Sequence, residues 1–140
     1  MKSLNIDTGV VEYTLNDAVT VSFNPTDITF IENLYKQFEE LDAEQEQYKK
    51  DIDAAKDNAA VFKVARDADA KMRARVDSLF GVPVCEPLLG TVSIYAMSDG
   101  LPIWANLFLA IMDEIDTSYT REQKATNPRL QKYLKKYNKK

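Results

Sequence analysis

Apolar and polar positions alternate at the start of this chain: Leu4 and Ile6, then Val11 and Tyr13, then Val19, Val21 and Phe23 are each spaced by one residue. A repeat of two puts such side chains on one face of extended backbone, and Asp7-Thr8-Gly9 and Asn16-Asp17 supply turn residues between the runs. The pattern predicts a hairpin or a small three-stranded meander over residues 1–23. So few strands are not stable alone and need helices against their apolar face.

The period then changes. Asn24-Pro25-Thr26-Asp27 reads as a helix start, with Asn24 as the cap and Pro25 in the first helical position, where no amide is missed. From there to about Ala55, Ile31, Leu34, Phe38, Leu41, Tyr48 and Ile52 fall at three-four spacing, with Gln45 as the polar interruption. The second half, DAEQEQYKKDID, is polar enough to extend into solvent or to lie along a single neighbouring helix. After Lys56-Asp57-Asn58, a helix from Ala59 to Phe80 places Val61, Val64, Ala65, Ala68, Met72, Val76 and Leu79 on one face. The short link predicts that the two helices are antiparallel neighbours. Phe80-Gly81 is a helix stop, since glycine tolerates the left-handed conformation just past a helix. Val82-Pro83-Val84-Cys85-Glu86-Pro87 reads as a crossing loop because each proline pushes the preceding residue towards extended backbone. Val92-Ser93-Ile94-Tyr95 is compatible with one helical turn or a short strand.

A different problem arises from Leu101 to Met112, where only Pro102 and Asn106 interrupt the apolar residues. Capped by Ser98 or Asp99, this helix has no orientation that leaves a wholly polar face towards water. Its cover must come from the earlier helices, the strands or another chain. Within it, Trp104, Leu107, Phe108 and Ile111 are the candidates for partner binding, and the competing reading makes them domain core, with Trp104 packed on the helix from Ala59 to Phe80. Beyond Ile115 the chain turns polar and basic, and Asn127-Pro128 starts a last short helix with Leu130, Tyr133, Leu134 and Tyr137 on one stripe.

These elements define a mainly α (α+β) protein, a helical domain with an N-terminal β-hairpin or small meander. A length of 140 residues with 45% apolar content fits one domain: hairpin 1–23, helical body 24–116, and basic tail or short helix 117–140. The longest apolar run, about a dozen residues, is well short of the roughly 20 that span a bilayer, so no membrane segment is expected. The start, MKSLNIDTGVVEY, has polar residues where a secretory signal carries a continuous apolar run, and the single Cys85 fits a reducing compartment.

Charge divides the chain. Residues 117–140 hold eight bases and one acid, Glu122, for +7; the first 116 hold ten bases and twenty-one acids, for −11. A basic tail can meet nucleic acid, with Lys132, Lys135, Lys136, Lys139 and Lys140 on phosphates and Tyr133 or Tyr137 stacked on bases, but the acidic body would repel the same polymer.

Candidate chemistry is sparse. The chain has no histidine, which removes the commonest general base and a common metal ligand. Cys85 lies between prolines with Glu86 beside it, the setting of a buried inert thiol. The glycines at 9, 81, 90 and 100 are scattered singly, so no phosphate-cradling loop is present. Asp67, Asp69 and Asp77, and Asp113, Glu114 and Asp116, are two acidic groups whose default role is the solvated face of a helix, with Arg66, Arg73 and Arg75 as their ion-pair partners. The expectation is a non-enzymatic protein with no cofactor and no metal.

The order of parts does have a likeness. A short β opening, FNPTDITFIENLYKQF, a long polar helix, RARVDSLFGVPVCEPLLG and a terminal apolar helix resemble the tail assembly chaperones of long-tailed (siphovirus-type) phages of Gram-positive bacteria. The motifs that carry it are Asn24-Pro25-x-Asp27 with Phe30-Ile31, and Val76-Asp77-Ser78-Leu79-Phe80-Gly81 followed by Leu89-Gly90. The resemblance implies a protein of the host cytoplasm that binds the tape-measure protein, assists polymerisation of the tail-tube protein, self-associates and is absent from the finished virion. It also implies a longer product made by frameshifting near the end of the frame, where Lys135-Lys136 and Lys139-Lys140 are compatible with slippery codons. The alternatives are a virion structural or connector protein and a small nucleic-acid-binding regulator.

Overall fold

The computed structural model describes residues 1–125 and 127–137 of the chain. It is mainly helical with an N-terminal β-hairpin, as the patterning predicts. Strands β1 (Val11–Leu15) and β2 (Val19–Phe23) pair antiparallel, with Val11 opposite Phe23 and Leu15 opposite Val19. Asn16 and Asp17 turn the hairpin with φ of 52° and 55°, a region that their short polar side chains tolerate better than most. The meander does not form: residues 1–10 lie outside any strand, and Leu4 and Ile6 are exposed. Alternation of two apolar residues is not enough to make a third strand where no core lies beneath it.

Helix α1 (Ile28–Ala54) begins later than its proline suggests. Asp27, not Asn24, is the cap, accepting from the Thr29 amide at 3.0 Å. Asn24 instead turns the chain: its Oδ1 accepts from the Thr26 amide at 2.8 Å and its Nδ2 donates to the Thr8 carbonyl at 2.8 Å. Two residues that both suit helix starts stood close together, and Asn24 is consumed by the turn. Helix α2 (Asn58–Phe80) is capped by Asp57 and stops at Gly81, whose φ of 70° is the left-handed exit expected there.

The loop after α2 is a correction to the sequence reading. Cys85–Leu89 form a short helix, α3, despite Pro87. That proline sits in the first turn, where its missing amide costs nothing, and Asp77 Oδ1 accepts from the Val84 and Cys85 amides at 2.8 and 2.9 Å. Residues 92–95 are neither helix nor strand but turns that bury Ile94 and Tyr95.

Two-residue strands β3 (Met97–Ser98) and β4 (Leu101–Pro102) then flank a tight turn in which Asp99 and Gly100 have φ of 55° and 77°. Helix α4 (Ile103–Lys124) therefore starts after Pro102, and neither Ser98 nor Asp99 caps it. Its first amides are met by the preceding loop, Ile103 donating to the Ala96 carbonyl at 2.8 Å and Trp104 to that of Ile94 at 3.2 Å. Helix α5 (Arg129–Tyr137) follows, its start held by Asn127 Oδ1 on the Arg129 amide. Lys139 and Lys140 lie outside the described residues. Among the described residues no helix is long and apolar enough to cross a membrane.

The core joins the hairpin, α1, α2, α4 and the loop between α2 and α4. Val21 and Phe23 from the hairpin, Leu34 and Leu41 from α1, Met72 and Val76 from α2, Val84, Cys85, Ile94 and Tyr95 from the loop, and five apolar side chains of α4 are buried together. Stacked rings tie the hairpin to α1: Tyr13 on Phe23 at 4.7 Å, and Phe23 on Phe30 at 4.5 Å. Thus the apolar helix finds its cover inside the chain.

Candidate functional site

Helix α4 buries Trp104, Ala105, Phe108, Ile111, Ile115 and Ser118, a single stripe at three-four spacing. Of the four residues expected to bind a partner, Trp104, Phe108 and Ile111 are therefore interior, at 3%, 0% and 4% exposure. Trp104 also differs from expectation in its neighbour. Its ring faces Phe38 of α1 at 5.7 Å and its Nε1 donates to Gln45 Oε1 at 2.8 Å, so the tryptophan is fastened to α1 rather than to α2. Gln45, read as an interruption of the α1 stripe, is the acceptor that a buried indole requires.

Leu107 faces elsewhere. It is half-buried and lines an apolar groove of about 340 Å³ with Ile103, Asn106 and Ala110 on α4, Leu88 and Leu89 on α3, and Thr14, Leu15 and Asn16 at the hairpin tip. Leu109, two residues on, is 38% exposed. The groove is the place where the fourth candidate residue meets solvent, and its walls are two leucines that the sequence reading left in a loop.

The segments that supply the groove are unevenly charged. Residues 3–35 and 76–120, which supply every lining residue, contain eleven acids and no Lys or Arg. The remaining residues before 117 hold ten bases and ten acids. The whole negative excess of the body therefore belongs to the hairpin, the start of α1, the α3 loop and α4; of these acids the exposed Asp17 adjoins the lining residue Asn16 in the chain, while the lining residues themselves carry no charge.

Of the α2 acids, Asp67 is exposed and pairs with Lys63 across one turn at 3.0 Å, as a solvated face would, whereas Asp69 and Asp77 hold backbone. Asp77 holds the α3 amides as described, Asp69 Oδ1 accepts from the Ile94 amide at 2.7 Å, and Arg73 Nη2 donates to the Gly90 and Val92 carbonyls at 3.0 and 2.7 Å. Spaced by four, these three residues form one polar stripe that fastens the α2–α4 loop to the helix. Arg75 bridges Glu40 and Glu44 of α1, which joins the polar halves of the two long helices. On α4, Glu114 accepts from Tyr13 Oη at 3.3 Å and from Ser118 Oγ at 3.0 Å. Among the described residues no group of three or more metal-ligating side chains is placed to hold an ion.

Cys85 is buried, and its Sγ lies 3.6 Å from the Arg73 carbonyl. Burial, reinforced by the Asp77 carboxylate, pushes its thiol up to about 12, and burial with Glu44 nearby does the same to Tyr95. Both groups are then neutral when folded and ionise more readily when unfolded. Their contribution is complete below the unfolded values, about 9 for the thiol and 10 for the phenol, and is lost as pH rises towards 12. Denaturant melts should accordingly show stability falling between pH 9 and 11, with Cys85 resisting alkylation at pH 8 until the chain unfolds. Rapid alkylation of the native protein would contradict this placement.

The chain matches no family model, no curated protein and no solved structure.

Proposed function

We propose that this protein is a non-enzymatic tail assembly chaperone of a long-tailed phage, acting in the host cytoplasm on the tape-measure protein and leaving before the virion is complete. The observation that carries the reading is the groove around Leu107. Two of its walls, Leu88 and Leu89, belong to the segment RARVDSLFGVPVCEPLLG, on which the resemblance to that family rests, and another is the apolar helix itself. An open apolar groove suits one stripe of an amphipathic client helix, which is how a small domain keeps long apolar helices in solution while tail-tube subunits polymerise around them. Three of the four interface candidates being interior moves the proposed contact to Leu107 and its groove neighbours.

The test is co-expression with a tape-measure fragment from the same genome. A soluble complex is expected, and a fragment that stays insoluble would overturn the proposal. Detection of this protein in purified virions would favour the connector alternative instead.

A further inference from the structure

The seam between α1 and α2 is underfilled along its polar half. Packed helices close their contact with large apolar side chains at three-four spacing, as Leu34, Leu41, Met72 and Val76 do in the core. Further along the pair, α2 offers only the small Val64 and Ala68, and the seam opens into a cleft of about 260 Å³. Tyr48 of α1 and Tyr95 of the loop after α3 are also among its walls, their rings stacked at 4.2 Å. Three acids, Glu44, Asp51 and Asp67, line the same cleft against one base, Lys71, for a net charge of −2.

The state of Glu44 adds to this. Its side chain is 13% exposed, and its Oε2 is buried with no hydrogen-bond partner among the described residues. Its Oε1 is held by Arg75 and, at 3.6 Å, by Lys71, whose own side chain is 69% exposed. A buried carboxylate oxygen without a donor is costly, and Lys71 is a loosely held cation that an incoming one can displace. We propose that this cleft binds an alkylammonium group, with the aliphatic stem on Val64, Ala68 and the stacked tyrosines and the charged nitrogen at the carboxylates. Tyrosine rings attract such cations, and their methylene stems bury on apolar surface. A bare metal ion would make no use of the apolar walls, and an anion would be repelled. Glu44 and Asp51 are seven residues apart on α1, about 10 Å along its axis, so a linear polyamine can reach both. The cleft shares no residue with the Leu107 groove, and the inference stands whether or not the chaperone proposal does.

Isothermal titration of the full-length protein with spermidine, followed in parallel by NMR shifts, tests it. Spermidine should saturate at about 1 mM or below and move the signals of Val64, Ala68 and Tyr95. Asp51→Asn should weaken binding about fivefold, and Lys71→Ala, which removes the competing cation, should tighten it about threefold. Asp53→Asn removes the same charge from α1 outside the lining and should change it less than about twofold. Ala68→Leu keeps every acid but fills the seam, and should abolish binding with an unchanged far-UV spectrum. Asp51 is exposed, so Asp51→Asn decides the matter if Ala68→Leu does not fold. Pentylamine and Nα-acetyl-lysine methylamide, equal in charge and similar in stem, separate the two sources of the group. Tighter binding of the amine assigns the cleft to a free polyamine, and tighter binding of the lysine derivative assigns it to a lysine side chain of another protein. No saturable binding of any probe, binding retained by Ala68→Leu, or equal weakening by Asp51→Asn and Asp53→Asn would each overturn the inference.

Discussion

Phe108→Asp is expected to abolish the cooperative unfolding transition, while Leu109→Asp, one residue along, leaves it nearly in place. Phe108 has no exposed surface, and its ring lies 6.1 Å from Phe38 and 6.5 Å from Trp104. Truncating a buried phenylalanine costs about 3–5 kcal/mol through lost transfer energy and the cavity left behind, and a buried carboxylate adds its desolvation. Domains of this size have about 5–15 kcal/mol in total, so the variant should lose its fold or retain little of it. Leu109 is 38% exposed, and its replacement should cost about 1 kcal/mol or less. The pair separates core from surface on one helix, and thermal melts of both decide it. Equal effects would mean that the buried face of α4 is placed wrongly.

The second large effect is expected at Asp77. Its Oδ1 receives the Val84 and Cys85 amides at the start of α3. Hydrogen bonds to charged groups contribute about 1.5–3 kcal/mol each when buried, and partial exposure here lowers the total to about 2–3 kcal/mol for Asp77→Ala. The melting temperature should fall by about 8 °C. Asp77→Asn keeps an acceptor oxygen and should lose about half as much. Because the same amides position Cys85, Asp77→Ala should also speed alkylation of that thiol, a readout that a general loss of surface charge would not move. Wild-type stability and thiol protection in Asp77→Ala would contradict the clasp.

Much of the fold was legible in the chain because its burial is periodic. Val19, Val21 and Phe23 alternate, Leu34 and Leu41 repeat at seven, Met72 and Val76 at four, and all are buried except Val19, which is half-buried at the strand's start. Gly81 ends α2 where its freedom at positive φ is needed. What escaped the reading was decided by contacts distant in sequence. Gln45 looks like a flaw in a stripe until Trp104, fifty-nine residues on, donates to it. Asp69, Arg73 and Asp77 look like a solvated face until the following loop lays its backbone across them. Pro87 looks like a helix breaker until the first-turn geometry removes its penalty. The same holds at the candidate site: a wide apolar helix was visible, but which of its residues face solvent depends on where α3 and the hairpin tip come to rest. Leu107 could not be separated from Trp104, Phe108 and Ile111 by spacing alone.

The central claim is that a client helix is held in the groove around Leu107. Its most direct test is a pelleting titration of a labelled tape-measure fragment against wild type, Leu107→Asp and Phe62→Asp, the last at a 58% exposed position on α2 remote in sequence from the groove walls. With all three proteins folded by circular dichroism, the account predicts that wild type and Phe62→Asp keep the fragment in the supernatant and that Leu107→Asp lets it pellet. Equal retention by all three proteins, or by none, would contradict it.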